Sequence, residues 1–312
     1  MRILSLFSGI GGLDAGFTDA GFNIVWANDF DKYAVETYKA NYDNEIVLGD
    51  INEIELESLP PFDAIIGGFP CQPFSMMGSE LGFEDTRGTL FFRIAEIIKY
   101  KIDHNERPRF IVLENVRTLR THDHGKTFKT IKRILEKELG YVVFDDVLNT
   151  ADYGIPQTRN RTYIVCFANE NVQFSFPDKM PLNLTLQDLL EENVDDKYFL
   201  SDTILPTILS DGTGGYKAKS EIDRTIARPL CATMAKMHRA CQDNYVTQNR
   251  RVRRLTPREC ARLQGFSDDF CIPVSDSQAY KQFGNAVTTN VSRAVAHQIR
   301  ESLENLGEWN DD

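Results

Sequence analysis

Cys71 is the residue whose surroundings most clearly suggest chemistry. It follows an apolar segment that stops in a turn rich in glycine and proline, Ile65-Ile66-Gly67-Gly68-Phe69-Pro70-Cys71-Gln72-Pro73. In open α/β sheets, a strand that ends in such a turn presents the next side chains at the carboxyl edge, where ligands bind. We therefore expect Cys71 to be displayed, and its thiolate is a candidate nucleophile. An inert turn residue and a redox sensor are the alternatives.

Glu114 follows a second apolar run, Phe110–Leu113. If this run and Ala64–Gly67 are parallel strands of one sheet, Cys71 and Glu114 lie at the same edge, as a nucleophile and a general acid would. Taken alone, Glu114 is equally consistent with a surface ion pair. The interpretation as a site depends on finding other suitable groups at that edge.

Arg159 and Arg161 lie in the segment Gln157-Thr158-Arg159-Asn160-Arg161. Strand alternation would send both guanidinium groups to one side, where they can bind a polar ligand. A solvated edge strand is the alternative. Because three such segments coincide with a nucleotide-type turn, we favour a shared active site.

The nucleotide-type turn is Phe7-Ser8-Gly9-Ile10-Gly11-Gly12, between a short strand and a helix. Because glycine has no Cβ atom, a ligand can approach the backbone N–H groups there. A purely structural turn is the alternative. Asp29 ends the second strand, where a carboxylate can bind ribose hydroxyls, and Asp50 follows Ile46–Leu48. Phe30 can pack on adenine. We infer an adenosyl cofactor.

The net charge of −11 does not at first suggest a nucleic-acid partner. However, residues 217–262 contain twelve Lys and Arg against four Asp and Glu, so that a band of about +8 lies on an acidic chain. Arg250, Arg251, Arg253 and Arg254 are so close together that their mutual repulsion favours an anionic partner. An ordinary solvated face is the alternative.

The composition is that of a globular protein, with 312 residues of which 42% are hydrophobic and 26% charged. Six cysteines without a CxxC pair indicate neither a zinc site nor a disulfide framework, so we expect no metal and a reducing compartment. No segment has the roughly 20 apolar residues of a membrane span. We expect a cytoplasmic protein that binds no membrane.

Alternating strand and helix patterns predict an α/β fold with a doubly wound, mostly parallel sheet. The predicted strands are Arg2–Leu6, Asn23–Ala27, Ala64–Gly67, Phe110–Leu113 and Tyr163–Phe167. Helices are predicted over residues 13–20, 32–40, 90–100 and 126–138, and a capping box at Thr256–Glu259 begins another. From about residue 170 to 250 the periodicity fades, which indicates an irregular, smaller domain.

Motifs in this order resemble the cytosine-C5 DNA methyltransferase family of bacterial restriction-modification systems. They are FSGIGG (7–12), NDFD (28–31), GDI (49–51), GGFPCQPFS (67–75), GFEDTRGTLFF (82–92), ENV (114–116), DYGIPQTRNR (152–161), RRLTPRECARLQGF (253–266) and QAYKQFGNAV (278–287). The resemblance covers nearly the whole chain except about 170–250, as expected of a variable target-recognition domain. It implies a Rossmann-like fold that uses S-adenosylmethionine and forms S-adenosylhomocysteine.

The resemblance also implies roles for the candidate residues. Cys71 would add to C6 of a cytosine flipped out of double-stranded DNA, and Glu114 would hold N3 and the amine. Arg161, supported by Arg159, would bind O2 and orient Glu114. No metal would take part. The cofactor would be bound by Phe7, Gly9, Gly11, Gly12, Asp29, Phe30, Asp50, Ile51, Leu90, Asn285 and Val287. The DNA would be contacted by Phe69, Pro70, Gln72, Met77, Arg87, Arg228, Arg239 and Arg251.

The family pattern predicts a catalytic, cofactor-binding domain over residues 1–188 and 278–312. The target-recognition domain and hinge would occupy residues 189–277, and we expect a monomer. Two positions depart from the pattern. Met77 stands where a relative carries a small polar residue, and we expect it to act as an apolar wedge in the DNA; packing of a loop methionine on the catalytic domain is the alternative. Pro229 stands where the family usually has a threonine. Proline has no hydroxyl group to bind phosphate, so we do not expect that contact here.

Two other functions remain open at this point. A tRNA cytosine-C5 methyltransferase would share the same motifs, and a noncatalytic DNA-binding protein would retain the cofactor site. The long variable segment with its basic band favours duplex DNA. The presence of Cys71, Glu114 and Arg161 favours catalysis.

Overall fold

The computed structural model of the protein describes residues 1–70, 90–210 and 221–309. Its contacts divide the chain into two compact units. Unit 1 comprises Met1–Leu148, Asn160–Asp178 and Val291–Asp312, and unit 2 comprises Asn149–Arg159 and Lys179–Asn290. The division predicted from sequence, with a recognition domain over 189–277, concerns function and stays a prediction.

Unit 1 is built on a sheet with seven strands in the described residues. They are β1 (Arg2–Leu6), β2 (Asn23–Asp29), β3 (Ile46–Leu48), β4 (Ala64–Gly67), β5 (Phe110–Val116), β6 (Val142–Asn149) and β7 (Asn160–Phe167). Their order is β3-β2-β1-β4-β5-β7-β6. Strands β1 to β5 pair in parallel and β7 is antiparallel to β5. The predicted doubly wound, mostly parallel α/β fold is therefore confirmed.

The order of the strands reverses between β1 and β4, since β2 and β3 extend from β1 in one direction and β5 extends from β4 in the other. In doubly wound sheets, ligands bind outside the carboxyl ends of the strands at such a switch point. The fold thus favours a site at the ends of β1 and β4.

The described helices flank these strands or belong to unit 2. They are α1 (Gly12–Asp19), α2 (Lys32–Lys39), α3 (Leu90–Asp103), α4 (Lys126–Arg133), α5 (Leu205–Leu209), α6 (Pro257–Leu263), α7 (Asp276–Asn285) and α8 (Thr289–Asn305). None of these helices is long and apolar enough to cross a membrane. In unit 1, Ile94, Ile97 and Ile98 of α3 are buried in one cluster with Ile65 and Ile111 of the sheet. The strands β4 and β5 consist of continuous buried runs, which are typical of a parallel sheet covered on both faces.

β5 is longer than the sequence predicts, which changes the setting of Glu114. Its parallel pairing with β4 ends at Leu113, but its antiparallel pairing with β7 continues to Val116. The expectation that Glu114 follows the strand is therefore wrong, because β7 extends the ladder past the apolar run. Glu114 lies within the strand and has a fixed cross-strand neighbour.

Unit 2 contains a two-stranded hairpin formed by β8 (Tyr245–Gln248) and β9 (Arg251–Arg254). The two turn residues, Asn249 and Arg250, have φ values of 51° and 63°. This is the left-handed geometry of a two-residue hairpin turn. The hairpin was not predicted from the sequence. The predicted capping box at Thr256 and Glu259 is confirmed at the start of α6.

Candidate active site

The parallel pairing of three neighbouring strands of unit 1 ends in line beside the switch point. Leu6 of β1 pairs with Gly67 of β4, and Gly67 pairs with Leu113 of β5. The glycine turn follows Leu6, Glu114 follows Leu113, and Cys71 lies four residues after Gly67 in the sequence. β4 and β5 are therefore parallel strands of one sheet, as the predicted shared edge for Cys71 and Glu114 requires.

Cys71 itself lies outside the described residues, together with Gln72, Met77 and Arg87. Their roles stay predictions. Of the chain that leads to Cys71, Phe69 is buried against Phe91, with 5.9 Å between ring centroids. Its side chain therefore belongs to the core here, whereas Pro70 is exposed.

Glu114 and Arg161 form an ion pair at this edge. Arg161 Nε lies 3.0 Å from Glu114 Oε1, and the two side chains are 20% and 9% exposed. The register explains the contact. Glu114 pairs directly with Tyr163, so that Arg161, two residues earlier on β7, is its diagonal neighbour on the same face of the sheet. The guanidinium group thereby fixes the orientation of a mostly buried carboxylate.

Asn115 has a role at the edge that the sequence analysis did not assign. Its side-chain amide donates to the backbone carbonyl of Phe69 over 2.7 Å, and the side chain is buried. Its carbonyl oxygen accepts from the N–H of Val116. The residue after Glu114 thus ties β5 to the segment that leads to Cys71. A polar residue inside a buried strand was the available sequence signal.

Arg159 and Arg161 have different partners. It belongs to unit 2, is 1% exposed, and donates to the backbone carbonyls of Leu230, Gly284 and Ala286 over 2.8 to 3.0 Å. The alternation expected for the two arginines does not apply, because β7 begins at Asn160 and Arg159 precedes it. Its supporting role in catalysis stays a prediction, and its visible contacts hold backbone segments of unit 2 together.

The glycine turn after β1 is held against the end of β2. The N–H of Gly9 donates to Asp29 Oδ2 over 2.9 Å, and Asp29 Oδ1 accepts from the N–H of Asp31. Gly9 has a φ of 56°, and a Cβ added there would meet no atom within 4 Å. Gly11 is required for a different reason, since a Cβ there would overlap the ring of Tyr42. The turn is therefore open to a ligand at Gly9 and closed at Gly11.

The surroundings of this turn fit an adenosyl group. Phe30, directly after Asp29, is 72% exposed, which is unusual for a large aromatic side chain and leaves a face for stacking. Asp50 is exposed and caps the turn that contains the buried Ile51. Leu90 begins α3 in unit 1. Asn285 and Val287, at and just after the end of α7, belong to unit 2.

The cysteines that the structure does describe differ in burial. Cys166 and Cys260 are fully buried, and burial raises the pKa of both thiols well above the ordinary value. Neither is therefore suited to act as a nucleophile near neutral pH. Within the described ranges, no cluster of His, Cys, Asp or Glu has the arrangement of a metal site.

The arginine run of unit 2 has partners within the protein. Arg253 is fully buried and pairs with Glu259, Arg251 pairs with Asp196, and Arg254 stacks on Tyr280 at 4.1 Å from the ring centroid. These contacts relieve part of the repulsion that led us to expect an external anion, whereas Arg250 is exposed in the hairpin turn. Sequence spacing could not show this, because the acidic and aromatic partners lie 6 to 55 residues away.

The two other arginines that are predicted to contact DNA and that the structure describes are also paired. Arg228 interacts with Glu221, and Arg239 pairs with Asp243 over 2.8 Å. These contacts leave a DNA role open for Arg228, Arg239 and Arg251, and that role stays a prediction.

Comparisons with known proteins agree with this geometry. The family model for C-5 cytosine-specific DNA methylases matches residues 1–301. The Type II methyltransferase M.NlaX of Neisseria lactamica is 40% identical over 316 residues, covering 97% of both chains. The Type II methyltransferase M.NgoBI of Neisseria gonorrhoeae is 44% identical over 310 residues, covering 94% of this chain and 91% of the relative.

Solved structures show the same fold at low sequence identity. The methyltransferase EhMeth of Entamoeba histolytica has a TM-score of 0.78 at 21% identity, and 98% of each chain is covered. A putative DNA modification methyltransferase from an Escherichia coli prophage has a TM-score of 0.74 at 19% identity, with 97% of this chain and 99% of that chain covered. The family match and the Type II relatives show that the protein belongs to the C-5 cytosine-specific DNA methylase family and is a DNA cytosine-5-methyltransferase.

Proposed function

We propose that this protein methylates C5 of a flipped cytosine within a short sequence of double-stranded DNA, through a covalent bond between Cys71 and C6. The observation that carries the proposal is the pair of Glu114 and Arg161 at the end of β5, beside the strand that leads to Cys71. A nucleophile and a fixed carboxylate on adjacent strand ends are what addition to a pyrimidine ring requires.

The reaction begins with attack of the Cys71 thiolate on C6, which forms the S–C6 bond and moves an electron pair towards N3. Glu114, protonated for this step, donates a proton to N3 and so removes the negative charge that develops. Arg161 fixes the orientation of Glu114 and binds O2. The ring becomes enamine-like, and C5 becomes nucleophilic. Once C5 carries the methyl group, a base removes the C5 proton, the C6–S bond breaks to release the Cys71 thiolate, and the N3 proton returns to Glu114, which restores the aromatic ring.

S-adenosylmethionine, when bound, supplies the methyl group that C5 accepts. Among this chain's residues, Phe7, Gly9, Gly11 and Gly12 would form the turn that holds it, and Asp29 would bind its ribose. Phe30 would stack on the adenine. The open space at Gly9 and the exposed ring of Phe30 support this assignment. Asp50, Ile51 and Leu90 of unit 1 would also bind it, and no metal would be needed. The roles of Asn285 and Val287 stay predictions from the family resemblance.

The biological setting follows from the relatives. Those at about 40% identity are named Type II methyltransferases, which supports a role in a restriction-modification system and favours neither the tRNA methyltransferase nor the noncatalytic alternative. We propose a monomer that acts on DNA in the cytoplasm. Arg228, Arg239 and Arg251 would contact the DNA in the recognition domain, and Met77 would occupy the gap left by the flipped base.

A covalent trap tests the proposal most directly. Duplex DNA that contains 5-fluorocytosine in place of cytosine cannot lose a proton from C5, so the S–C6 bond should persist and mass spectrometry should place the DNA on Cys71. Candidate targets come from bisulfite sequencing of DNA from cells that express the protein. The Cys71→Ala variant should form no adduct, and tritium release from C5 should be lost.

Cys271→Ala is the matched control, because it removes an exposed cysteine that the proposal does not use. It should trap and methylate DNA as the unmodified protein does. A parallel assay with tRNA separates the two substrate classes. Methylation of tRNA in preference to duplex DNA, or an adduct on a cysteine other than Cys71, would contradict the proposal.

A further inference from the structure

Asp14 is a buried carboxylate close in sequence to the glycine turn, and it takes no part in the proposed reaction. Asp14 lies in the first turn of α1 and has no exposed surface. Its Oδ1 accepts a hydrogen bond from Ser5 Oγ over 2.7 Å, and its Oδ2 accepts one from the hydroxyl of Tyr38. Both donors are neutral hydroxyl groups. No Lys, Arg or His in the described part of the chain forms an ion pair with it.

Burying such a group is unfavourable, so its presence calls for an explanation. Burial raises the pKa of Asp14 to about 6, although the hydrogen bonds from Tyr38 and Ser5 oppose this shift. An apolar residue at this position would avoid the desolvation. The carboxylate must therefore provide something that an apolar side chain would not.

The carboxylate fixes the direction of a hydrogen-bond chain. An ionised carboxylate only accepts, so the single hydroxyl proton of Ser5 is directed at Asp14. The contact of 3.0 Å between Ser5 Oγ and Ser8 Oγ can then be made only if Ser8 donates. Ser8 Oγ in turn accepts from the backbone N–H of Asn28. Ser5 Oγ is the nearest of the three acceptors within reach of the Ser8 hydroxyl, since the carbonyl oxygens of Ser5 and Asn28 lie at 3.2 and 3.3 Å. With that contact made, the chain runs from Asn28 through Ser8 and Ser5 to Asp14, with each group donating to the next.

Two members of this chain, Ser8 and Asn28, lie beside the proposed cofactor site. Ser8 precedes Gly9 in the turn, and Asn28 precedes Asp29 at the end of β2. Gly9 and Asp29 are themselves joined by the hydrogen bond from the glycine N–H to the carboxylate. The backbone bond of 3.0 Å from Ser8 N to the carbonyl of Asn28 adds a second link. The position of the turn relative to the end of β2 therefore depends on Ser8.

We propose that Asp14 is a positioning residue for cofactor binding, acting through Ser5 and Ser8 to hold the glycine turn against the end of β2. This inference rests on the proposed function, because it takes the turn at residues 7–12 as the binding site for S-adenosylmethionine. Asp14 does not contact the cofactor. It preorganises the backbone that does, and so it affects affinity and leaves the chemical step unchanged.

Calorimetric titration with S-adenosylhomocysteine, combined with single-turnover methylation at saturating S-adenosylmethionine, tests the proposal. Asp14→Ala and Ser5→Ala each break the chain and should raise the dissociation constant about 10-fold, while the saturated single-turnover rate changes less than about 2-fold. The double variant should bind no more weakly than either single variant, because both remove the same chain.

Asp14→Asn should restore affinity to within about 3-fold of the unmodified protein. The amide oxygen can accept from Ser5, and the amide N–H can donate to the hydroxyl of Tyr38, so the direction of the chain is kept. Tyr141→Phe is the matched control. It removes a buried hydroxyl of unit 1 that donates to the carbonyl of Pro108 over 2.9 Å, away from the turn, and should leave the affinity unchanged.

The outcomes separate this proposal from the proposed function. If the unmodified protein binds neither cofactor form, or if Gly9→Val does not impair binding, the site itself is misplaced and both proposals fail. If the unmodified protein binds but folded Ser5→Ala and Asp14→Ala variants bind equally tightly, only the positioning role is overturned. Loss of affinity in Tyr141→Phe to the same extent would likewise overturn it, since the effect would then be one of general stability.

Discussion

Two arginine–glutamate pairs in different parts of the molecule have the same chemistry and different surroundings. In unit 2, Arg253 and Glu259 are both completely buried, and two guanidinium nitrogens donate to the two carboxylate oxygens over 2.7 and 2.8 Å. In unit 1, Arg161 meets Glu114 through Nε at 3.0 Å, and its side chain remains 20% exposed. The first pair is enclosed by the protein, whereas the second lies at a sheet edge that a ligand can reach.

The hydrogen bonds around each pair show what it does. Glu259 also accepts from the backbone N–H groups of Thr256 and Glu191, so it completes a capping box and joins three segments of unit 2. Such a group stabilises the fold, and an incoming ligand would have to displace these bonds. Glu114 is oriented by an arginine on a neighbouring strand, beside the strand that leads to Cys71, as a reacting group needs to be. Burial and geometry, rather than residue type, distinguish the two functions.

The largest effect is expected at Glu114. Glu114→Gln keeps an oxygen for Arg161 but removes the proton that the mechanism requires, so turnover should fall by about 10³- to 10⁴-fold, equivalent to about 4–5.5 kcal/mol. Its free energy of unfolding should change by less than about 1 kcal/mol, because shape and one hydrogen bond persist. Steady-state methylation and chemical denaturation measure the two quantities. A loss of activity below 10-fold would contradict the distinction between the pairs.

Arg253→Met should mainly lower the stability of unit 2, whereas Glu114→Gln mainly lowers turnover. It leaves Glu259 buried without its cation, which typically costs about 3–5 kcal/mol in stability. Both tryptophans, Trp26 and Trp309, lie in unit 1, so tryptophan fluorescence does not report directly on this change. Hydrogen exchange of the amides of α6 is the suitable measurement. Unchanged protection of α6 would show that the buried pair is not what holds this part of unit 2.

Removing both charges should have a smaller effect than removing one. The double variant Arg253→Met, Glu259→Leu no longer contains an unpaired buried charge, and replacing such a pair with apolar groups is often close to neutral. The capping box and the bond from Glu191 are still lost, so we expect a decrease of about 1–2 kcal/mol. The same exchange experiment tests it. A double variant less stable than Arg253→Met would argue against charge burial as the cause.

The edge of the sheet could be predicted from the sequence better than the contacts made there. β4 was predicted with its observed bounds, because an apolar run ends abruptly at two glycines. The prediction that it is parallel to β5 then placed the segment before Cys71 beside Glu114. The family resemblance predicted that Arg161 orients Glu114, but local sequence patterns could not give the contact, because it depends on the register of antiparallel β7 and 46 residues separate the two positions.

The strands missed by the sequence analysis lack the usual apolar signal. β6 lies at an end of the sheet, most of its residues are only half-buried, and Asp145 and Asp146 interrupt its apolar run. In β9 the buried residue is Arg253, whose partner Glu259 lies on α6. The hairpin turn places Arg250 in a left-handed conformation that usually indicates Gly. In each case tertiary contacts override the local pattern.

Asp14 extends the comparison to a buried carboxylate without a cation, and the smallest effect is expected there. Its pKa is about 6 in the folded protein and near 3.8 in the unfolded chain, so folding favours the protonated form. The stability contributed by this group is fully present at low pH and is lost as the pH rises through 6. Relative to Asp14→Asn, which does not titrate, the unmodified protein should therefore gain about 1 kcal/mol of stability from pH 7 to pH 5.

Denaturation of both proteins at the two pH values measures this difference, and other titrating groups cancel in the comparison. Glu259 serves as the contrast, because its charge is balanced by Arg253. A gain near 1 kcal/mol for Asp14 would mean that the chain carries a buried carboxylate at neutral pH at the expense of stability, as expected of a group retained for the cofactor turn. A difference that does not change with pH would mean that Asp14 is not desolvated in the folded protein, and the structural basis for its positioning role would be lost.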